Sequence, residues 1–468
     1  MSWSFPARPA LALALLVAAA PAAAQQAVNP IHPAFRPLDA AGKPTADGAQ
    51  VSLEKTCGAC HDAAWIGQHT GHAAAAGRPA ATCAQCHLDG GQLLVTPASL
   101  EADGRLRREA IRIGAPRAQG CARCHGLLTD GRAPVALPPD LAAPAAGRSY
   151  RLTLGEGAIL SPERMSASFL ALEGKATLDA PWDVHAAKLV DCTACHFAGN
   201  DPARTDPKQP RLQYLTADPR RLSRAEFLVR PDHRLGKAGC RSCHDAQQAH
   251  AFLPYRARHL EVLACEACHL ASPRAPVLEQ VDATVAGRDG APVLRFRNLA
   301  VRPGEPLGAA TVRPFQPLLA ERAEPDGARR LAPVNLITRY RWVAGPERAE
   351  VPFERVAAAL VEGGAWRREA LAALDADHDG DLSAGELLLD TAEEVAFVAG
   401  ALRGAGLQDP AIAGDLQILP LVHGVSTRDQ ALRACGACHG PESRLTAPFT
   451  VASVLPGGVP PAPPTAAP

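Results

Sequence analysis

Apolar patterns that predict regular secondary structure are concentrated between positions 276 and 425. The runs 293–297 and 334–343 are rich in branched and aromatic residues and predict β-strands. The segments that begin at Trp366 and Leu387 carry apolar residues in a pattern that predicts helices on either side of an acidic stretch. This part of the chain is therefore expected to contain both strands and helices.

The N-terminus has a different apolar pattern. Arg8 is followed by the apolar run 11–20 and then by an Ala-rich stretch that ends at Ala24. This arrangement predicts a secretory signal peptide over 1–24. A membrane anchor is the alternative, but the run is shorter than the roughly 20 residues that span a bilayer. We expect a periplasmic or other extracytoplasmic protein whose mature chain does not insert stably in a membrane.

Charge and composition bear on the possible partners of the protein and on what fills its interior. The chain has 48 Lys+Arg and 48 Asp+Glu residues, so its net charge gives no support for nucleic-acid binding. Aromatic residues make up only 4% of the 468 residues, whereas Gly and Pro number 39 and 43. Few large rings are available to fill a core. We therefore expect something other than side chains to fill part of the interior.

All 14 cysteines lie in seven Cys-x-x-Cys-His motifs. This motif is the signature of c-type haem attachment, in which both thiols bond to the porphyrin and the histidine binds the iron. Zinc ribbons use such cysteine pairs in twos, and a thioredoxin-like motif would occur once. We predict seven covalent haem c groups. The attaching pairs are Cys57 and Cys60, Cys83 and Cys86, Cys121 and Cys124, Cys192 and Cys195, Cys240 and Cys243, Cys265 and Cys268, and Cys435 and Cys438; the iron ligands are His61, His87, His125, His196, His244, His269 and His439.

Of the 16 histidines, seven belong to motifs and nine do not. His378 lies in the acidic stretch, which leaves eight candidates for the second axial position of seven irons. Met165 is the single methionine after the signal peptide, so at most one iron could have a Met ligand. We predict low-potential bis-His haems. The favoured second ligands are His69, His72, His185, His233, His250, His259 and His423; His32 is not among them.

Several of these histidines lie just before a motif. His185 and His233 each precede a motif cysteine by seven residues, and His259 precedes Cys265 by six. The few residues between such a histidine and the motif are too short a connection for the histidine to bind the far face of that motif's own haem. We expect such histidines to bind the iron of a neighbouring haem, so that the haems are linked in a chain.

The motifs and the residues between them resemble exported bacterial multihaem c-type cytochromes, here with seven haems. The resembling residues run from Trp182 through Pro231-Asp-His233 and Leu253-Pro-Tyr255, and the resemblance covers most of 50–275 and 370–440. It implies respiratory or extracellular electron transfer. More distantly, the chain is similar to the octahaem tetrathionate reductase and hydroxylamine oxidoreductase groups, from which it differs in having seven motifs.

Residues 375–386 match the calcium loop Asp-x-Asp-x-Asp-Gly-x5-Glu. Such a loop supplies carboxylates, one backbone carbonyl and a bidentate Glu, and Gly380 allows its sharp turn. An acidic surface turn is the alternative. Because only one EF-hand-like loop is visible, we expect a permanent structural site rather than a switch. We predict one Ca²⁺ held by Asp375, Asp377, Asp379, Asp381, Ser383 and Glu386.

The spacing of the motifs predicts the organisation of the chain. We expect a mainly α, haem-templated fold with long irregular segments, and a haem-poor α+β segment that carries the calcium loop. The predicted regions are a signal peptide (1–24), an N-terminal tri-haem region (25–132), a Pro/Ala-rich linker (133–147), a second tri-haem region (148–275), the haem-poor segment (276–425), the seventh motif (426–447) and a disordered Pro-rich tail (448–468).

Two function classes follow from these expectations. The first is an electron relay through coordinately saturated haems, with redox proteins as partners. The resemblance suggests a quinol-linked membrane cytochrome as the donor. The second is a multihaem reductase of a nitrogen or sulfur oxyanion, which would need one haem with an open axial site. The number of spare histidines favours the relay.

Overall fold

The computed structural model describes residues 32–61, 82–88, 91–114, 116, 120–121, 134–137, 155–198, 235–237, 239–301, 307–324 and 326–463. Within these ranges no helix has both the length and the apolar character needed to cross a bilayer. The predicted signal peptide lies outside the described residues, as do five predicted haem-site residues: Cys124, His125, His69, His72 and His233.

Most helices among the described residues are short, and several coincide with haem motifs. In chain order they are α1 (Leu53–Gly58), α2 (Cys83–His87), α3 (Val184–Ala187), α4 (Ala246–Ala249), α5 (Arg256–Val262), α6 (Glu266–His269), α7 (Phe353–Leu360), α8 (Arg368–Leu374), α9 (Ala392–Gly404) and α10 (Gly436–His439).

The strands range from two to sixteen residues. They are β1 (His196–Ala198), β2 (Leu235–Lys237), β3 (Leu278–Ala286), β4 (Pro292–Phe296), β5 (Leu299–Ala300), β6 (Thr311–Val312), β7 (Leu318–Ala323), β8 (Arg329–Ala344), β9 (Ala349–Glu350), β10 (Val361–Glu362), β11 (Ala365–Trp366) and β12 (Ala411–Pro420).

A six-stranded mixed sheet is built around the long strand β8. β12 pairs with it in antiparallel fashion over 334–343, and β3 runs parallel to it over 338–341. β7 and β9 pair with its two ends, and β4 extends the sheet beyond β3. The predicted strands 293–297 and 334–343 thus correspond to β4 and β8. The sheet gives the haem-poor segment a scaffold of its own.

The helices α7, α8 and α9 contribute to one apolar core with the sheet. Tyr340 and Trp342 of β8 are fully buried in it, together with Leu360 of α7 and Leu402 of α9. A buried Trp needs a partner for its ring N–H, and Trp342 Nε1 donates to the Thr284 carbonyl oxygen at 2.9 Å. The six-stranded sheet and the helices α7, α8 and α9 therefore form one packed unit, called the sheet unit below.

The structure corrects the expected mainly α fold class. Among the described residues it has helices together with a mixed sheet, and the sheet dominates the haem-poor segment. The helix predicted from Leu387 also begins later, at Ala392. Its start is set by a capping box, because Thr391 Oγ1 accepts from Glu394 N at 3.2 Å and the Glu394 carboxylate accepts from Thr391 N at 2.9 Å.

The sheet is attached to the sixth and seventh motifs. Ala264 N donates to the Leu331 carbonyl oxygen at 2.9 Å just before α6 begins. Arg444, which is buried, donates to the Ala267 carbonyl oxygen of α6 at 2.6 Å and to the Pro317 carbonyl oxygen at 3.2 Å. The sixth motif, the sheet and the segment after the seventh motif are thereby joined.

The predicted linker 133–147 is packed where the structure describes it. Val135 and Leu137 are buried in an apolar cluster with Trp182 and Met165. The Val135 carbonyl oxygen also accepts from Phe169 N at 2.8 Å. Residues 134–137 are therefore part of a folded unit, because their apolar side chains find a core to enter.

The expected disorder of the tail 448–468 also differs from the structure, which describes the chain to residue 463. Ser453 N donates to Glu279 Oε1 at 2.7 Å, and Ala462 N donates to the Gly414 carbonyl oxygen at 2.7 Å. Proline cannot donate within a sheet but is tolerated at its edge. The tail accordingly lies along the edge formed by β12.

Candidate functional site

Most of the described haem motifs adopt a single helical turn, whereas in the fourth motif Cys192–Ala194 form a short 3-10 turn and His196 begins β1. One turn contains about 3.6 residues, so the two cysteines and the histidine of a motif lie on one face. In four motifs the histidine N–H donates to the carbonyl oxygen of the first cysteine, at 2.9 or 3.0 Å: His61 to Cys57, His244 to Cys240, His269 to Cys265 and His439 to Cys435. Thiols and imidazole can thus meet one macrocycle from the same side.

Five motif histidines face a second histidine from elsewhere in the chain. The distances between ring centres are 6.5 Å for His61 and His32, 6.2 Å for His244 and His185, 6.0 Å for His196 and His423, 6.0 Å for His269 and His250, and 6.1 Å for His439 and His259.

These separations fit two imidazoles on opposite sides of one metal ion. A ring nitrogen binds a first-row metal at about 2 Å and the ring centre lies about 1 Å farther away, so two such rings have centres about 6 Å apart. Direct stacking would bring the rings closer, and four of the five pairs are inclined by 39° or more. The residues therefore fit a group that places a metal between each pair.

Three of the five facing histidines do not face the motif that follows them in the sequence. His185 precedes the fourth motif but faces His244 of the fifth. His259 precedes the sixth motif but faces His439 of the seventh, and His423 faces His196 of the fourth. In each case the histidine lies next to a motif other than the one it precedes.

His32 is one of the eight candidate second ligands but not one of the seven that the sequence favours. It lies far ahead of the first motif and lacks the short spacing that marks His185 and His259. The structure nevertheless places its ring 6.5 Å from that of His61, and its Nδ1–H donates to the Pro33 carbonyl oxygen at 3.0 Å. The only sequence signal for it was the count of spare histidines.

The second and third motifs have fewer described neighbours. His87 Nδ1 donates to the Gly114 carbonyl oxygen at 3.0 Å. Five spare histidines face other motifs, and His378 has a positive φ of 60° inside the acidic loop. His69, His72 and His233 lie outside the described residues. Met165 is buried in an apolar cluster.

Backbone carbonyls orient several of the facing imidazoles. His250 Nδ1 lies 2.9 Å from the Ala246 carbonyl oxygen, and His259 Nδ1 lies 3.0 Å from that of Pro254. Because a carbonyl oxygen can only accept, the proton must be on Nδ1. Nε2 is then left with its lone pair, which is the form that binds a metal.

His423 has a carboxylate partner instead. Its Nδ1 forms a short hydrogen bond with the carboxylate of Glu156, and both side chains are partly buried. Burial alone would lower the pKa of His423, but the hydrogen bond and charge of Glu156 outweigh it and raise that pKa. By contrast, burial lowers the pKa of His269, and the neighbouring His250 adds to this effect.

Thiols of different motifs lie next to each other. Cys57 and Cys83, Cys121 and Cys192, and Cys240 and Cys265 lie close enough for each thiol to shift the pKa of the other. Cys268 and Cys438, from the sixth and seventh motifs, also interact electrostatically. The attachment points therefore follow one another in space, with the first beside the second, the third beside the fourth, and the fifth to seventh together.

The acidic loop brings three of its six predicted ligands together. Carboxylate oxygens of Asp375, Asp377 and Glu386 lie within 4.8 Å of one another. Gly380 has a φ of 85°, as the sharp turn requires, and its N–H donates to Asp375 Oδ2 at 3.0 Å. Hydrogen bonds from Ser383 lower the pKa of Glu386 and favour its ionised form.

The other predicted calcium ligands have different partners. Asp379 Oδ1 accepts from Asp381 N at 2.8 Å, and the Asp381 carboxylate accepts from Trp366 Nε1. Position seven of such a loop contributes a backbone carbonyl rather than a carboxylate, so this use of the Asp381 side chain is compatible with a calcium loop. The predicted entering helix is confirmed as α8, which ends at Leu374.

Comparisons with known proteins identify no family for the chain. No protein-family model matches it, and no curated protein sequence matches it. Among solved structures, the octahaem cytochrome c from Shewanella oneidensis matches with 15% sequence identity and a TM-score of 0.35, over 78% of this chain and 73% of that chain.

Proposed function

We propose that this protein is an extracytoplasmic electron carrier with seven covalently bound haem c groups. The observation that carries the proposal is the set of five histidine pairs with ring centres 6.0–6.5 Å apart, each combining a motif histidine with one from elsewhere. Seven Cys-x-x-Cys-His motifs provide the attachment sites.

Axial ligation distinguishes a carrier from an enzyme. The haem supplies one-electron chemistry when bound, and an iron with two imidazole ligands has no site left for a substrate. The facing histidines His32, His185, His250, His259 and His423 would each complete one such ligand set. The backbone hydrogen bonds of His250 and His259 hold the metal-binding nitrogen in place.

The order of the motifs supports a continuous electron path. Cysteines of successive motifs are adjacent in several places, including Cys57 with Cys83 and Cys240 with Cys265. Macrocycles attached at adjacent thiols would have edges close together. Electrons could then move from motif to motif without leaving the protein.

Redox proteins are the proposed partners. Resemblance to exported multihaem cytochromes favours a quinol-linked membrane cytochrome as the donor and a downstream protein as the acceptor. The predicted signal peptide, 1–24, would place the chain in the periplasm or outside the cell.

Spectroscopy of the oxidised holoprotein, combined with carbon monoxide binding after reduction, tests the proposal. We expect only low-spin electron paramagnetic resonance signals and no carbon monoxide adduct, since both axial positions are filled. His423→Ala should open one haem in seven and so calibrates the measurement, whereas His378→Ala should change neither readout. A stoichiometric high-spin haem in the unmodified protein would instead favour the multihaem oxyanion reductase.

We also propose that residues 375–386 bind one Ca²⁺. The clustered carboxylates of Asp375, Asp377 and Glu386 support this proposal, as does the match to the calcium-loop pattern. The loop lies between α8 and α9, whose apolar faces enter the core of the sheet. A bound ion would therefore stabilise the haem-poor segment.

A further inference from the structure

One buried carboxylate, that of Asp183, joins two distant segments of the chain. Its side chain is 4% exposed. Asp183 Oδ1 accepts from His185 N at 2.8 Å and from Ala186 N at 2.9 Å. Asp183 Oδ2 accepts from Gly424 N at 3.0 Å and from Val425 N at 2.9 Å. Four backbone N–H groups thus satisfy a single carboxylate.

Both segments held by Asp183 carry a histidine that faces a motif. His185 donates to the carboxylate through its own backbone, and its ring lies 6.2 Å from that of His244. His423 immediately precedes Gly424, and its ring lies 6.0 Å from that of His196. We infer that Asp183 is a positioning residue that holds the second ligands of the fourth and fifth haems in place together.

The surroundings support this role. Val184 N donates to the Val425 carbonyl oxygen at 2.9 Å, which adds a direct bond between the segments. Gly424 has a φ of 79°, a conformation that other residues rarely adopt, and the successive N–H groups of Gly424 and Val425 both reach the carboxylate. His185 Nδ1 is 3.9 Å from Asp183 Oδ1, too far for a hydrogen bond, so Asp183 holds His185 through its backbone N–H.

The strength of the arrangement follows from burial. Hydrogen bonds to an ionised group are stronger than those between neutral groups, and a low local dielectric strengthens them further. A carboxylate has about four lone-pair sites, and here all four are used. Removal of Asp183 would leave four N–H groups without their acceptor and free both segments at once.

This inference rests on the proposed bis-His ligation, and the test separates the two. In Asp183→Ala holoprotein with seven haems, we expect two haems to become high-spin and to bind carbon monoxide after reduction. In Asp183→Asn, the amide oxygen can still cap α3, because Asn is a good N-cap, but the NH₂ group would face Gly424 N. We therefore expect one open haem in that variant.

Asp39→Ala is the matched control. Asp39 Oδ1 also accepts two backbone N–H bonds, from Ala41 at 2.9 Å and Lys43 at 2.8 Å, but both lie within one loop. We expect this variant to keep all its haems low-spin. A haem assay should show seven haems per chain before any variant is interpreted, and Asp183→Asn serves if Asp183→Ala does not mature.

The outcomes are distinct. If the unmodified protein already binds carbon monoxide, the proposed ligation fails. If the unmodified protein is fully low-spin and Asp183→Ala opens no haem or only one, the ligation stands and the positioning role of Asp183 is wrong. Adding His423→Ala to Asp183→Asn should still give one open haem, because both changes act on the same ligand; two open haems would contradict the inference.

Discussion

At the scale of single residues, the partner of each imidazole nitrogen sets how strongly that imidazole can donate to a metal. His250 and His259 bond to backbone carbonyls, whereas His423 bonds to the carboxylate of Glu156. A carboxylate makes an imidazole more basic than a carbonyl does. Hydrogen bonding to an axial ligand is one of the means by which proteins tune haem potentials. The fourth haem should accordingly have the lowest potential of the haems whose facing histidines are described.

We therefore predict that Glu156→Gln raises the potential of one haem. A more basic ligand favours the oxidised iron, and the shift should be about 60 mV for each tenfold loss of that preference. A spectroscopic redox titration should show one component moving upward while the others stay in place. Glu173→Gln, which removes an exposed carboxylate paired with Arg313, should leave every component unchanged. An unaltered titration curve for Glu156→Gln would contradict the prediction.

At the scale of secondary-structure elements, the calcium loop connects two helices of the sheet unit. α8 enters the loop, and α9 begins six residues after Glu386. Leu374, Leu382 and Leu389 anchor the entry, the middle and the exit of the loop in the same core as Tyr340. The loop therefore affects packing far more directly than it affects any haem motif.

We predict that calcium stabilises this unit and that Glu386→Gln removes most of the gain. A ligand present at about one hundred times its Kd stabilises the folded state by about 2.7 kcal/mol, so thermal unfolding should shift upward by several degrees with calcium. Calorimetry with and without a chelator measures this, with Glu347→Gln in an exposed turn as the control. A calcium-dependent change in the haem potentials would contradict a purely structural role.

At the scale of the whole molecule, the sheet and the first haem motifs differ in how much apolar core their own side chains supply. The sheet unit has a large apolar cluster that includes no motif residue. The described residues of the first motifs have only a small cluster around Val95 and Leu106. Haem would supply the missing apolar area there, since proteins with little core of their own depend on bound groups to fold.

We predict that haem-free protein keeps the sheet unit and loses the remainder. Limited proteolysis with mass spectrometry should yield a protected fragment that contains β3 to β12, while the first three motif segments are digested. The holoprotein, treated in parallel, should resist cleavage in both regions. Equal digestion of the whole haem-free chain would show that the sheet does not fold without haem.

The sequence alone predicts haem attachment at the motifs, because Cys-x-x-Cys-His is a local pattern that brings two thiols and an imidazole together, and this attachment stays a prediction. It also predicted the strands at 293–297 and 334–343, which the structure confirms as β4 and β8, whereas calcium binding at 375–386 stays a prediction. It did not predict a mixed sheet in place of a mainly α fold, because strand pairing joins β3, β8 and β12 across long separations.

Only the tertiary structure decided which histidine faces which motif. His32, His185 and His423 come to their partners through contacts that no local spacing encodes, as Asp183 shows by joining segments 241 residues apart. Packing likewise decided that 134–137 and the tail to residue 463 are ordered. The physical reason is the same throughout. Hydrogen bonds within a helical turn join residues that are close in sequence, whereas the spacing between two histidine rings depends on how distant segments of the chain pack together.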